Sequence, residues 1–226
     1  MKSVLVYGGD RGIGLEVADR FTDIGHQVAI STDLSAPEPY PRSSGNLESE
    51  RVDKFFHEIE TRFGPVEILI VSTEFSYEIQ CMNIDSNDAI KAIDASITRM
   101  LRVIDRAAIS MEDAGQGRVV IIHPGMPESN GKGRRSVYEE VFVDTHRSLV
   151  RQLAPDITVN VVIPGVASSA PTALEAPDPQ LATKIPMQRR VQPADVAAAV
   201  TFFACDAAGY ITGNVIRVDG GAAMGV

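Results

Sequence analysis

The stretch YGGDRGIG at residues 7–14 decides the fold. It follows a short apolar segment, SVLVY at 3–7, and it opens an amphipathic pattern with helical spacing. Gly8 allows a tight turn, Gly12 lets the backbone approach a pyrophosphate, and Gly14 permits close packing of a helix on a strand. The stretch therefore predicts a strand, a phosphate-binding turn and a helix in succession.

Apolar, β-branched runs alternate with helical patterns along the rest of the chain. Near-continuous apolar runs are typical of strands buried on both faces. The predicted strands cover 3–7, 27–31, 66–71, 118–123, 158–163 and 215–218, and the predicted helices cover 12–24, 48–63, 86–113, 136–154 and 193–205. A proline-rich piece at 35–46 is predicted to be a loop. This alternation predicts an α/β, Rossmann-like doubly wound parallel sheet, forming a single domain over 1–226.

The predicted helix at 86–113 carries apolar residues at three-and-four spacing. The stripe consists of Ile90, Ile93, Ile97, Leu101, Ile104 and Ala108. A stripe of this kind is typical of a helix face that packs on a core, so it predicts packing and not chemistry.

Composition narrows the kinds of partner that the chain can have. Its 226 residues include 21 basic and 30 acidic ones, a formal charge of −9, which disfavours nucleic acid and anionic membranes. No apolar stretch approaches the length of a membrane span and no cleavage signal follows the start, which favours a cytoplasmic protein. Cys81 and Cys205 form no CxxC pair and the four histidines lack metal spacing, so no metal site is predicted.

Asp33 stands at the end of the second predicted strand. A carboxylate there would bind the ribose hydroxyls of NAD and repel the extra phosphate of NADP. The alternative is a solvated loop aspartate. Arg11 and Ile13 lie between the glycines of the turn, and with Asp33 they complete the predicted cofactor-binding set.

Five stretches in order and at natural spacing resemble the short-chain dehydrogenase/reductase family. They are SVLVYGGDRGIGLEVADRFTDIGHQVAI, GPVEILIV, GRVVII, ITVNVVIPG and GYITGNVIRVDGG. The resemblance covers nearly the whole chain and is nearest to the 3-oxoacyl-(acyl carrier protein) reductase branch. It implies an NAD(P)-dependent oxidoreductase with an Asn-Ser-Tyr-Lys tetrad, in which the tyrosine protonates the carbonyl oxygen that receives the hydride.

Two positions of that tetrad hold residues of different chemistry. The helix expected to carry the asparagine reads AIDASITRM, which puts Ser96 at that position. The strand expected to end in the serine reads GRVVIIHPGMP, and counting from Gly117 puts Pro124 there. Proline has no hydroxyl to donate, so this alignment predicts that the serine's role is lost.

The tyrosine and lysine positions depend on the register of the helix at 136–154. Aligning RSLVRQLAP with the family's helix puts Arg135 at the tyrosine and Glu139 at the lysine. If the alignment gap in the preceding loop is moved instead, Tyr138 takes the tyrosine position and Phe142 takes the lysine position. Either register loses the pair, and a tyrosine without a neighbouring cation keeps a high pKa. Tyr138 and Phe142 are then predicted to pack as an apolar pair one helical turn apart.

The resemblance also indicates which ligand contacts have changed. Glu74 stands where the family has a glycine beside the nicotinamide ribose, so NAD or NADP is the implied cofactor but with weakened binding. His123 could replace the missing acid, yet strand alternation turns it away from the site if Pro124 faces it. A proline-rich segment at 164–190 is long enough to be a lid.

Three functions remain open. The first is a non-catalytic subunit that forms a homo- or hetero-oligomer, with an active short-chain reductase as partner, through the helices at 86–113 and 136–154. The second is an NAD(H)-dependent oxidoreductase with an atypical site. The third is a non-redox cyclase or lyase that uses Glu74, Arg135 or Glu139 as acid and base.

Overall fold

One parallel sheet organises the chain. The computed structural model describes residues 1–9, 12–32, 42–44, 49–72, 87–123, 137–165 and 185–224. The strands are β1 Ser3–Tyr7, β2 Gln27–Thr32, β3 Arg42–Ser44, β4 Ile68–Ser72, β5 Gly117–Ile122, β6 Ile157–Pro164 and β7 Val215–Val218. Their order is β3-β2-β1-β4-β5-β6-β7, and every neighbouring pair is parallel. The predicted Rossmann-like doubly wound sheet is confirmed.

Five α-helices connect the described strands. They are α1 Gly12–Asp23, α2 Ser49–Phe63, α3 Asn87–Asp113, α4 Val137–Leu153 and α5 Pro193–Ala204. Each predicted helix begins and ends within one residue of these bounds because the helical pattern stops where the polar turn begins. Among the helices within the described ranges, none is both long enough and apolar enough to cross a membrane.

The helices cover the sheet on two faces. On one face α2, α3 and α4 pack on side chains such as Leu69, Ile121 and Val161. On the other face α1 and α5 pack on the alternate residues, among them Ile70 and Val162. This alternation explains why the central strands are apolar at consecutive positions. Ile104 and Ala108 of the α3 stripe are buried and Ile97 and Leu101 pack against the core, as the spacing predicted.

The edge strand β3 corrects one prediction. Arg42, Ser43 and Ser44 pair in parallel with the end of β2, so the expectation of a loop throughout 35–46 was wrong for these residues. A strand at the edge of a sheet needs only backbone pairing with its neighbour. It therefore requires no apolar run, and the sequence pattern could not indicate it.

Candidate functional site

The glycine-rich turn lies at the carboxyl edge of the sheet, directly after β1. The amides of Gly8 and Gly9 both donate to the carbonyl oxygen of Ser31, at 3.2 and 3.3 Å. Because Ser31 belongs to β2, these bonds fix the turn against the neighbouring strand. Ligands of doubly wound sheets bind at this edge, where the strand order reverses on either side of β1.

Two close approaches explain why glycine is required in the turn. A side chain at Gly8, whose φ is +77°, would overlap the carbonyl oxygen of Ser72 at the end of β4. A side chain at Gly14 would overlap the carbonyl oxygen of Gly8 itself. The turn, the first residues of α1 and the end of β4 are therefore packed backbone to backbone. Ser31 and Ser72 had no sequence signal, because both act through carbonyl groups that every residue has.

The start of α1 is an exposed helix N-terminus at this edge of the sheet. Gly12 has a φ of +54° and is exposed, and a side chain there would come within 4 Å of no atom of the described residues. Ile13 packs partly against the apolar core on the α1 face, which orients the first turn. That turn contains no acidic residue, and its free amides carry the positive end of the helix dipole.

Helix α4 meets the end of β5 through an aromatic contact. The ring centroids of Phe142 and His123 are 4.1 Å apart with the planes tilted by 56°. Both side chains are buried, at 3% and 2% exposure, and the His123 amide donates to the Val162 carbonyl at 2.9 Å. The burial agrees with the strand alternation, which turns His123 into the helix layer. Phe142 therefore pairs with His123, and the Tyr138 side chain lies outside the described residues.

The buried face of α4 continues from Phe142 through His146 and Leu149 to Leu153. The Nε2 atom of His146 lies 3.2 Å from the carbonyl oxygen of Val159 in β6. Burial lowers the pKa of His146, and neighbouring Arg147 lowers it further, while the Val159 carbonyl acts in the opposite direction. The whole stripe thus faces the sheet, and it carries an imidazole at a position where its neighbours in the stripe are apolar.

Several predicted site residues fall outside the described part of the chain. They are Arg11, Asp33, Glu74, Pro124 and Arg135. Ser96 lies on α3, and Tyr138 and Glu139 lie on α4, with only their backbone placement described. The structure therefore brings together Gly8, Gly12, Ile13 and Gly14 of the predicted cofactor set. Within the described ranges, no three His, Cys, Asp or Glu side chains are grouped as metal ligands.

The other end of the same edge is formed by residues 185–191, which lie over the turn after β7. The amide of Met187 donates to the Gly220 carbonyl at 3.1 Å, and the Gln188 amide donates to the Ile185 carbonyl at 2.8 Å. Gly220 has a φ of +64°, and a side chain there would lie 2.9 Å from Ile185 and 3.1 Å from Met187. The sequence offered no motif for this contact.

A double hydrogen bond holds residues 185–191 to the start of α5. Arg189 donates to both carboxylate oxygens of Asp195, at 2.6 and 2.9 Å. The Gln192 amide also donates to Asp195 at 2.9 Å, which completes a capping box ahead of Pro193. Hydrogen bonding from Arg189 is the main reason that the pKa of Asp195 lies below its usual value.

Known proteins similar to this chain include reductases. A family model described as "Enoyl-(Acyl carrier protein) reductase" matches residues 47–223. The 3-oxoacyl-[acyl-carrier-protein] reductase MabA of Mycobacterium bovis is 37% identical, over 99% of this chain and 94% of that protein. The 3alpha-hydroxysteroid dehydrogenase of Mediterraneibacter gnavus is 30% identical, over 98% of this chain and 96% of that protein.

Solved structures share the fold. YwfH, described as an NADPH-dependent reductase involved in bacilysin biosynthesis, is 23% identical with a TM-score of 0.78 over 97% of this chain and 98% of its own. The TT0495 protein from Thermus thermophilus gives the same identity and TM-score, over 99% of this chain and 100% of its own. Since the family model spans most of the chain and the mycobacterial reductase is similar along nearly all of it, this chain belongs to the short-chain dehydrogenase/reductase family.

Proposed function

We propose that this chain is a non-catalytic homologue of 3-oxoacyl-(acyl carrier protein) reductase that assembles with an active reductase of the same family. The proposal takes its fold and its reductase likeness from the comparisons. It takes the loss of chemistry from the residues at the four tetrad positions. A subunit of this kind keeps the sheet and the glycine turn and contributes packing surface to the assembly.

The contact between Phe142 and His123 is the observation that carries the proposal. In the register that gives Tyr138 the tyrosine position, Phe142 takes the position of the lysine, and its side chain is buried against His123. The described basic side chains of α4, Arg147 and Arg151, are exposed and further along the helix. Among the described side chains, this part of α4 therefore supplies no cation beside the end of β5, as expected of a site without the family's lysine.

Two exposed apolar surfaces are available for assembly. Ile109 on α3 and Val141 on α4 are 57% and 45% exposed, on the two helices that the family resemblance assigns to subunit contact. Val215 and Ile216 of the edge strand β7 are 47% and 39% exposed, although strands of a parallel sheet are usually covered on both faces. An exposed apolar edge strand favours association with another chain.

Activity and assembly can be tested on the purified full-length chain. We expect no turnover of acetoacetyl-CoA with NADH or NADPH, and we expect an intact short-chain reductase to copurify in equal amount from the native cell. Ile109→Lys and Ile216→Lys should each weaken the assembly that uses the corresponding surface, and Lys54→Glu on the exposed face of α2 serves as a charge-changing control. Turnover by the chain alone, or a pure homo-oligomer without a reductase partner, would contradict the proposal.

The geometry of the glycine turn favours a second candidate, an NAD(H)-dependent oxidoreductase with an atypical site. A helix N-terminus that begins at an exposed glycine, with no acidic residue in its first turn, suits a pyrophosphate, and NAD(P) use is a property of the family. In that case water or the substrate itself supplies the proton that the tetrad tyrosine normally gives. Residues Gly8, Gly12, Ile13 and Gly14 would hold the cofactor.

Fluorescence titration with NADH and NADPH separates the two candidates. Micromolar binding together with turnover would favour the oxidoreductase, and preference for NADH would support a role for Asp33. Absence of binding to both nucleotides would exclude the oxidoreductase and leave the scaffold role. Gly14→Ala is the negative control and should lose any nucleotide binding, because a side chain at this position would overlap the carbonyl oxygen of Gly8 and disrupt the turn.

A further inference from the structure

Residues 211–214 form the connection that leads into β7, and Val159 of β6 holds this connection in place. Strands β6 and β7 pair only from Val161 onward, so the connection lies beside the earlier part of β6. The amide of Gly213 donates to the Val159 carbonyl at 2.8 Å, and the Val159 amide donates to the hydroxyl of Thr212 at 3.0 Å. Both backbone groups of Val159 are therefore bonded to the connection.

His146 of α4 reaches the same carbonyl group. Its Nε2 atom lies 3.2 Å from the Val159 oxygen, and because a carbonyl oxygen can only accept, Nε2 carries the proton of this hydrogen bond. A side chain at Gly213 would lie 3.7 Å from Val150 of α4, so the helix and the connection approach each other directly. One carbonyl oxygen thus joins α4, β6 and the 211–214 connection.

The elements packed around His146 present few charges to its imidazole. The side chain is 3% exposed, and the residues of β6 and α3 that are buried on this face of the sheet are apolar. The 211–214 connection contains no titratable residue, and β5 contributes His123, which is also buried. On α4 itself, Arg147 is exposed and pairs with the exposed Asp144 at 3.4 Å.

A second proton on this imidazole would create a buried charge. Burial is the main reason that the pKa of His146 lies below its usual value, and the charge of Arg147 lowers it further. The groups described around the ring supply no carboxylate to offset a positive charge, and a buried charge without a partner is costly. Protonation therefore favours any rearrangement that brings water to the ring.

Edge strand β7 is the element that can leave this junction at least cost. Its residues Val215–Val218 are exposed or only partly buried. By contrast, β6 lies between two strands, and α4 is fixed by the buried side chains of Phe142 and Leu149. Local opening occurs where the fewest buried contacts are lost, so the 211–214 connection and β7 should open before α4 moves.

We propose that His146 and the 211–214 connection form an acid-sensitive switch that controls how firmly β7 is held to the sheet. In its neutral form the imidazole donates through Nε2 to Val159. A second proton, taken up at Nδ1 from solvent as the pH falls, favours a state in which the connection and β7 separate from β6. Because Val215 and Ile216 of β7 form an assembly surface in the proposed function, acid also weakens assembly through this strand, and this consequence alone rests on that function.

Hydrogen exchange of the full-length protein tests the switch without need of a partner or a substrate. The backbone amides of the 211–214 connection and of β7 are followed at about pH 7.5 and about pH 5.5, corrected for intrinsic exchange, with and without low urea. We expect these amides to exchange through a local opening that urea hardly changes. The opening should be roughly three- to tenfold more populated at the lower pH.

Two variants of His146 remove the titrating group. His146→Gln keeps an amide donor for the Val159 carbonyl but cannot be protonated, so it should abolish the response to pH. His146→Leu suits the apolar surroundings and should do the same, which keeps the test valid if one of the two variants fails to fold. His57→Gln, at an exposed position of α2, is the matched control and should keep the wild-type response.

Three results would overturn the inference: local opening of β7 that does not change with pH, exchange of β7 with the same urea dependence as the central strands β1 and β4, or a response to pH that survives in both variants. The proposed function is judged by turnover and by copurification of a reductase, and neither enters this measurement. A chain that shows the switch and also reduces acetoacetyl-CoA would contradict the proposed function and leave the inference on His146 standing.

Discussion

Phe142 lies against His123 with their ring centroids 4.1 Å apart, which puts an aromatic pair where helix α4 meets the end of strand β5. Both rings are almost completely buried. The contact therefore belongs to the packing between α4 and the sheet, and it closes this junction to solvent.

Truncating this contact should destabilise the fold. Phe142→Ala is expected to lower the free energy of unfolding by about 3–5 kcal/mol, because it removes a buried ring and leaves a cavity beside His123. Urea denaturation followed by circular dichroism measures the change. Ser148→Ala, at an exposed position of the same helix, should stay within about 0.5 kcal/mol. Equal effects at the two positions would show that Phe142 is not part of the core.

Gly14 should tolerate substitution less than Gly12. An alanine at Gly14 meets the carbonyl oxygen of Gly8, so we expect Gly14→Ala to cost roughly 2–3 kcal/mol of stability through displacement of α1. Gly12→Ala meets no atom of the described residues and should cost about 1–2 kcal/mol from its positive φ. Thermal unfolding of the two variants gives the comparison, and a reversed order would mean that the turn relaxes around Gly14.

His146 should make stability depend on pH near neutrality. Burial lowers its folded-state pKa below the ordinary value of 6.5, so the unfolded chain binds the proton more readily. Stability should therefore fall as the pH drops below about 6.5 and level off once the folded-state pKa is passed. His146→Leu should flatten this part of the profile, whereas His57→Gln, at an exposed position of α2, should leave it unchanged. An identical profile for His146→Leu would refute the assignment.

The sequence predicted the fold nearly completely, and the reason lies in its apolar runs. Ile70 and Val71 face opposite helix layers, so both had to be apolar, and the run marked the strand. The glycine turn was predictable because Gly8 and Gly14 are required by steric overlap. The edge strand at Arg42 to Ser44 was missed because backbone pairing alone defines it.

The candidate site was less predictable for two reasons. Some of its contacts are made by backbone groups that every residue has, and others join residues that are far apart in the sequence. Ser31 binds the turn through its carbonyl oxygen, which no sequence pattern reveals. Met187 reaches the edge through a hydrogen bond to Gly220, 33 positions later in the printed sequence. The sequence could not predict which residue contacts Phe142, because that contact depends on the rotation of α4 about its axis. The two possible alignments of this helix left that rotation undefined.

Asp195 should stabilise the start of α5, and this stabilisation should be lost at acidic pH. Its carboxylate accepts two hydrogen bonds from Arg189, which lower its folded-state pKa below the ordinary value of 3.8. The stabilisation should thus be fully present above that value and disappear as the pH falls through the folded-state pKa. Asp195→Asn is expected to cost about 1 kcal/mol at neutral pH, since the pair is partly exposed and the cap is weakened. Urea unfolding at several pH values measures both effects.

Asp156→Asn is the control, because Asp156 lies in an exposed turn, and it should change neither the stability at neutral pH nor its dependence on pH. If Asp195→Asn has wild-type stability at neutral pH, residues 185–191 do not depend on this cap.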